Sequence, residues 1–457
     1  VRTRVALGAL ALFAVGLFAR QHLLAELVLP PPWPDEAAFS FPAKALAEHF
    51  TLVAPELNPA RAILWMPPGY FWALAGWFLI TAPTLVAARW FSWFAVSAAL
   101  LVLGHASWRR HRSLAALLTL GAAVMAPSVV VMANNARMEA LTLLVLCAAA
   151  SLILGRSPWV GMALAASAPL VHPQAAPAGV LLLLCALVAR ERPRWSRQAA
   201  VAAAGVAALW AAYGAYVAAH WSDWASDMAY QQSLKAADWA ARTWGWGEVL
   251  PFVLPLLGAA HAFVVRRPLV LVSLGVALQV PALTTFVFWY EPLQVVGWLL
   301  VAAEAVAALE VAARRRRLPD RWRLAALAAL LALGARLLWV GGVLEQPGRL
   351  DRMTWRCFRM SDAPYVTESE VQAVLALLPP EGRVGFTHRG DALLLAPRLP
   401  ATAQPLSPTF TDLQPDVVVT HDGPLFRRCG HAPVSAPQVT RDDWSWRVDP
   451  RPARAPP

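Results

Sequence analysis

Of 457 residues, 58% are apolar and only 15% charged, and the mean hydropathy is +0.49. A water-soluble domain carries about 25% charge, so this composition excludes an ordinary soluble protein and describes a chain solvated largely by lipid. The formal net charge is +11. The basic residues gather between apolar blocks, which argues against nucleic acid as a partner and makes the charge a record of membrane topology.

The chain opens on Arg2 and Arg4 followed by an apolar run from Val5 to Ala19. No small-residue cleavage site follows, so the run reads as a first membrane helix rather than a signal peptide. Six basic clusters end apolar blocks: Arg2/Arg4, Arg109/Arg110/Arg112, Arg156, Arg190/Arg192/Arg194/Arg197, Arg266/Arg267, and Arg314 to Arg317 with Arg321 and Arg323. Cytoplasmic loops are the Lys/Arg-rich ones, so these clusters mark the inside. Spans are then expected near 5–28, 86–107, 113–133, 139–155, 158–171, 175–189, 199–219, 248–265, 268–287, 293–313 and 324–344. That makes about eleven crossings, with a cytoplasmic N-terminus and an extracytoplasmic C-terminus. Residues 67–83 (PPGYFWALAGWFLITAP) break the alternation and are expected to re-enter or lie at the interface. Of the 39 basic residues only Lys44 and Lys235 are lysine, a bias of GC-rich coding that suggests a bacterial inner membrane.

With the inside fixed, five outer turns each carry a polar or charged group. The first, residues 29–66, opens PPPWPDEAAF, so Asp35 and Glu36 are adjacent carboxylates just past the first span. They are either a reactive pair or the acidic first turn of a helix begun at Pro34. The stretch that follows mixes apolar and polar residues as an interfacial helix does. In MANNARMEAL, Arg137 and Glu139 are an ion pair or a functional one; charge at membrane depth is costly and turns toward a cavity or a partner. His172-Pro173-Gln174 places a histidine at a helix end, as a cap or as a ligand-binding group. Residues 220–248 read as a long outer loop with Asp223, Asp227 and Asp238 among five tryptophans and Tyr230, either interfacial anchors or sugar-stacking faces. FWYEP brings Tyr290 and Glu291 to the same side, and Arg336 lies in the outer half of the last span, where it needs a carboxylate or a phosphate.

From residue 345 the chain turns polar and proline-rich. A helical pattern at 368–379 and β-like runs at 383–386 and 416–419 indicate a small extracytoplasmic α/β domain over 345–457, distinct from a transmembrane domain over 1–344. Cys357 and Cys429 both lie in it. Outside the cytoplasm they form a disulfide or remain two separate thiols.

PDEAAF followed some thirty residues later by PPGYFWALAGWF resembles the start of the C-type fold (GT-C) membrane glycosyltransferases, closest to the protein O-mannosyltransferases and lipid A aminoarabinose transferases. Arg137-Met138-Glu139 stands at the family's second acidic motif, and WYEP resembles its later aromatic-Tyr-x-Pro turn. The likeness is specific over residues 1–190 and architectural beyond. It implies a mainly α, polytopic fold and inverting transfer of a hexosyl or pentosyl group from a polyprenyl-phosphate donor at the outer face. The acceptor is a glycan, a lipid or a protein. Asp35 would be the general base, with Glu36 beside it and Tyr70 near the substrate. Glu139 would orient the acceptor or hold a divalent cation. Trp65-Met66 replaces the Glu-Lys that aminoarabinose transferases carry before Pro-Pro-x-Tyr. Arg61, Arg137 or Arg336 would therefore have to face the donor phosphate. A transporter or lipid-linked glycan flippase is the competing reading, with a non-enzymatic scaffold behind it.

Overall fold

The computed structural model describes residue 16 and residues 34–155, 157–188, 196–240, 270–280, 290–315, 368–386, 392–393, 395–406, 413–422, 439–441 and 444–450. The spans expected near 5–28, 248–265 and 324–344, Arg336, and the Cys357/Cys429 pair lie outside these residues. Cys147 and Cys185 are free thiols within helices.

Helix α1 runs Pro34–His49, with Asp35 and Glu36 in its first turn. From Glu36 to Ala43 it is buried, and its end, Glu48 and His49, is exposed. Ala37, Phe41 and Ala45, four apart and so on one helical face, join one buried cluster. Phe39 and Ala43 join another with Tyr70, Phe71 and Leu74. A helix apolar on two faces is buried on both, which is why the expected interfacial helix becomes an internal one.

Helix α2 is Gly69–Phe78. Ten residues rise about 15 Å, half the ~30 Å hydrocarbon core. Its start is pressed against α7 (Pro158–Val171): a Cβ on Gly69 would sit 2.5 Å from the Leu170 carbonyl oxygen. Only glycine fits the Pro-Pro-Gly-Tyr turn at that approach.

The bundle continues with α3 (Leu85–His111), α4 (Leu114–Gly121), α5 (Pro127–Ala133), α6 (Met138–Ile153), α7, α8 (Ala176–Val188), α9 (Arg197–Ala219), α10 (Trp221–Ala240), α11 (Val270–Ala277) and α12 (Glu291–Arg315). The span expected over 113–133 is divided. A 3-10 turn at Ala122–Met125 leads to Ala126 in an extended conformation, and Pro127 opens a new helix, as proline drives its predecessor out of the α region. The 220–248 loop is helical through α10, whose residues 221–240 contain neither Gly nor Pro. Among the described residues, Leu85–His111, Arg197–Ala219 and Glu291–Ala308 are long and apolar enough to cross a membrane. One alanine-rich core joins α3 through α8 with α11 and α12.

The C-terminal residues form α13 (Glu368–Leu375) and five strands, β1 (Gly382–Phe386), β2 (Ala403–Leu406), β3 (Val417–Asp422), β4 (Val439–Arg441) and β5 (Trp444–Pro450), in sheet order β2-β1-β3-β5-β4. β1 is parallel to β2 and β3, while β5 is antiparallel to β3 and β4. Both β-like runs read from the sequence coincide with strands. Val371, Val384, Phe386 and Val419 share one cluster with Ala37, Phe41, Leu57, Ile63 and Leu85. The sheet therefore shares its core with α1, which is clamped between it and α2/α3.

Candidate active site

The first turn of α1 carries two carboxylates that the helix sends to different surroundings. Glu36 is fully buried. Its Oε1 accepts from Arg89 Nε (3.0 Å) and from the Ala136 amide (2.8 Å), and its Oε2 accepts from Arg89 Nη2 (2.8 Å). Glu36 thus ties α1 to the second turn of α3 and to the 134–137 loop. Such a pair tolerates burial because each charge is met by its opposite in bidentate geometry.

Arg137 ends that loop as the N-cap residue of α6. Its Nε and Nη2 donate to Glu139 Oε2 (3.2 Å) and Oε1 (2.9 Å), and its Nη1 donates to Asp35 Oδ2. The guanidinium also lies 5.4 Å from the Phe39 ring centroid, a cation–π contact. One cation therefore bridges the two acidic motifs. The three carboxylates differ in access: the Asp35 side chain is 25% exposed, against 0% for Glu36 and 2% for Glu139.

His172 follows α7 in extended conformation and caps the 3-10 turn Pro173–Ala175. At 14 and 13 residues, α7 and α8 rise about 20 Å each, less than the ~30 Å core. The turn between them sits within the protein, and the imidazole is buried. Its Nδ1 accepts from the Gln174 amide (3.0 Å), its Nε2 is 3.3 Å from the Tyr290 hydroxyl, and Glu139 Oε1 is 3.9 Å from Nε2. Burial, aided by the Glu139 charge, raises the Tyr290 phenol above its ordinary range and keeps it protonated. Thr142, Leu146, His172, Gln174, Tyr290 and Leu293 line a narrow cavity behind this group.

The structure therefore brings together Asp35, Glu36, Arg137, Glu139, His172 and Tyr290, drawn from turns up to 255 residues apart in the chain. Other expected site residues stand elsewhere. Tyr70 is 1% exposed, its ring edge-on to Phe39 and Phe91, as a core residue beneath the cluster. Arg61 is held by α10: Nη2 and Nη1 donate to Asp227 Oδ1 (2.8 Å) and Oδ2 (3.1 Å), and the Leu64 amide donates to Oδ2 (2.7 Å). Its hydrogen bonds to Asp227 raise the guanidinium pKa further. Glu291 opens α12, where a carboxylate suits the helix dipole.

Sequence reasoning missed Arg89. Its signal was an arginine in the second turn of an apolar span, where an unmatched charge is expensive. Among the described residues, no three His, Cys, Asp or Glu side chains are grouped to hold a metal ion. The space between Asp35 and Glu139 is filled by the Arg137 guanidinium, so these carboxylates do not fit the divalent cation considered from the sequence.

No protein-family model matches the sequence, and no curated protein matches it. Among solved structures, ArnT from Cupriavidus metallidurans in the apo state aligns over 97% of this chain and 98% of its own, with 15% identity and a TM-score of 0.55. ArnT of the same organism bound to undecaprenyl phosphate aligns over 95% and 97%, with 16% identity and a TM-score of 0.49. At such identity the apo match speaks for architecture alone: the chain has the fold of ArnT, the C-type (GT-C) architecture that PDEAAF and PPGYFWALAGWF resemble.

Proposed function

We propose that the chain is a membrane glycosyltransferase that moves a hexosyl or pentosyl group from a polyprenyl-phosphate donor to a hydroxyl of a glycan, lipid or protein acceptor. The observation that carries this reading is the unequal access of three clustered carboxylates. Glu36 and Glu139 are buried in ion pairs, and Asp35 alone reaches solvent, next to a fixed cation. A general base must be reachable by the proton it takes, and the leaving phosphate needs positive charge nearby.

In this mechanism the acceptor oxygen attacks the anomeric carbon and its proton passes to the Asp35 carboxylate. The bond from that carbon to the phosphate oxygen breaks, and its electron pair leaves with polyprenyl phosphate. One displacement inverts the anomeric centre. Arg137 supplies charge beside the developing anion, and Glu139 keeps the guanidinium in place. Glu36 acts as a tie rather than as a reacting group. The site belongs at the extracytoplasmic face of the inner membrane of a bacterium. The chain would cross about eleven times from a cytoplasmic N-terminus, with residues 1–344 as the transmembrane domain and 345–457 as the outer domain.

The test offers purified full-length protein a panel of polyprenyl-phosphate-linked hexoses and pentoses, and follows release of the lipid phosphate. Wild type should release it from at least one donor. Asp35→Asn, which keeps size but cannot take the proton, should lower turnover roughly 10²–10⁴-fold while the melting temperature and donor binding persist. Near-wild-type turnover by Asp35→Asn would sink the base assignment. Translocation of intact donor without sugar release would make the protein a flippase.

A further inference from the structure

The mechanism above leaves two buried polar groups without a task. His172 and the Tyr290 hydroxyl, from turns 118 positions apart, face each other at 3.3 Å directly behind Glu139. A packed histidine serving only as a cap needs one ring nitrogen, and His172 uses Nδ1 for that: it accepts from the Gln174 amide. An Nδ1 that accepts carries no proton, so in the neutral ring the hydrogen is on Nε2. That N–H points into the pair formed by the Tyr290 oxygen at 3.3 Å and Glu139 Oε1 at 3.9 Å. The second distance is electrostatic rather than a direct hydrogen bond.

We infer that His172 and Tyr290 are positioning residues, a buried dipole pair that fixes the Glu139 carboxylate and, through its two bonds to Arg137, the placement of the guanidinium against Asp35. Glu139 spends both oxygens on Arg137 and is 2% exposed, so its rotamer sets where Arg137 Nη1 stands. A carboxylate with no further donor behind it would be free to swing with the arginine when a phosphate arrives. An Nε2–H held between the phenol oxygen at 3.3 Å and the carboxylate at 3.9 Å opposes that swing. His172 is set by the capped turn after α7, and Tyr290 stands immediately before α12.

The inference rests on the proposed transfer reaction for its consequence, but not for its geometry. Two substitutions separate the two ring nitrogens. His172→Asn keeps an acceptor where Nδ1 caps the turn and removes the Nε2 donor. His172→Gln keeps a donor near the Nε2 position and loses the cap. With the donor found by the panel, His172→Asn should lower kcat roughly 10²-fold, the order expected of a displaced catalytic group, with KM within about threefold and an unchanged melting temperature. His172→Gln should recover kcat to within roughly tenfold of wild type even where its melting temperature falls. Wild-type kcat in His172→Asn, or equal loss in both variants tracking lost stability, would reduce His172 to a cap and overturn the inference. A second measurement needs no substrate. The ¹⁵N spectrum of ring-labelled histidine in the full-length protein, with His172 assigned by its loss in His172→Asn, should show the Nε2–H tautomer and should shift in Tyr290→Phe. The Nδ1–H tautomer, or a signal indifferent to Tyr290→Phe, overturns the pairing. Failure of wild type to cleave any donor refutes the transferase reading and leaves this spectrum to decide the pairing alone.

Discussion

Helix α3 carries a buried ion pair near each end, and the two ends are used differently. In its second turn, Arg89 meets Glu36, and that pair adjoins Arg137, Asp35, Glu139 and His172. About 33 Å along the helix, His111 Nε2 lies 2.7 Å from Glu304 Oε1 on α12, with Arg110 3.7 Å from Oε2. Both clusters place carboxylates against cations away from water. At the second, the one carboxylate is enclosed: the His111 and Glu304 side chains are 7% and 9% exposed. At the first, Asp35 is left at the surface beside a cation that the others hold. Buried charge alone does not mark a reactive site; a reachable group on a buried charged scaffold does.

That contrast is broken most severely by removing half of the Glu36–Arg89 tie. Glu36→Ala leaves Arg89 charged and buried, a loss of about 3–5 kcal/mol, and frees the Ala136 amide as well. The folded yield and melting temperature in detergent should fall sharply. A Glu36→Ala protein as stable as wild type would show that water reaches Arg89 and that the pair is not a structural tie.

How much of this was legible beforehand follows from what a one-dimensional reading can see. Spacing of apolar blocks and the basic clusters located α3, α6, α7, α8, α9 and α12 within a few residues, because length and hydropathy are local properties. Asp35, Arg137, His172 and Tyr290 were singled out because each sits at a block boundary, where a polar residue stands out. Their convergence was not legible, since no pattern in the chain says that the turn at 172 faces the turn at 290. Arg89 and Glu304 were passed over because each lies inside a span, where a charge is credible only once its partner is known. Arg61 is turned toward the donor phosphate in the sequence reading because Trp65-Met66 lacks the family's lysine, and its contact with Asp227, 166 positions away, leaves no mark in the sequence. The arginine's partner came from a helix that the tryptophan-rich composition disguised.

A smaller effect is expected at the enclosed cluster. Glu304→Gln keeps an oxygen for His111 but removes the charge, and hydrogen bonds to charged groups are worth about 1.5–3 kcal/mol. The melting temperature should drop, while turnover per folded molecule stays at the wild-type value, because the site lies at the other end of α3. Lost turnover at full stability would mean that the two ends communicate, and the distinction drawn between them would fail.

The smallest effect belongs to the rim, and it sharpens the comparison most. Arg61 is 30% exposed and Asp227 11%, so solvent screens this pair where it does not screen Glu36 and Arg89. Surface ion pairs contribute about 0–1 kcal/mol, and Asp227→Asn retains an oxygen for the Leu64 amide. A double-substitution cycle of Asp227→Asn with Arg61→Gln should therefore give a coupling below about 1 kcal/mol. The same pair decides what Arg61 is for. If the guanidinium meets the donor phosphate during turnover, Arg61→Gln raises the donor KM, whereas Asp227→Asn, which frees that guanidinium, leaves KM unchanged or lowers it. If Arg61 only fastens the 58–64 loop to α10, the two substitutions remove the same contact and change KM alike. The second result is expected from the structure, because both Asp227 oxygens are engaged by Arg61 and the loop amide is held by the same carboxylate. Opposite KM shifts would move Arg61 into the substrate site and leave Arg137 with a second cation to share the phosphate.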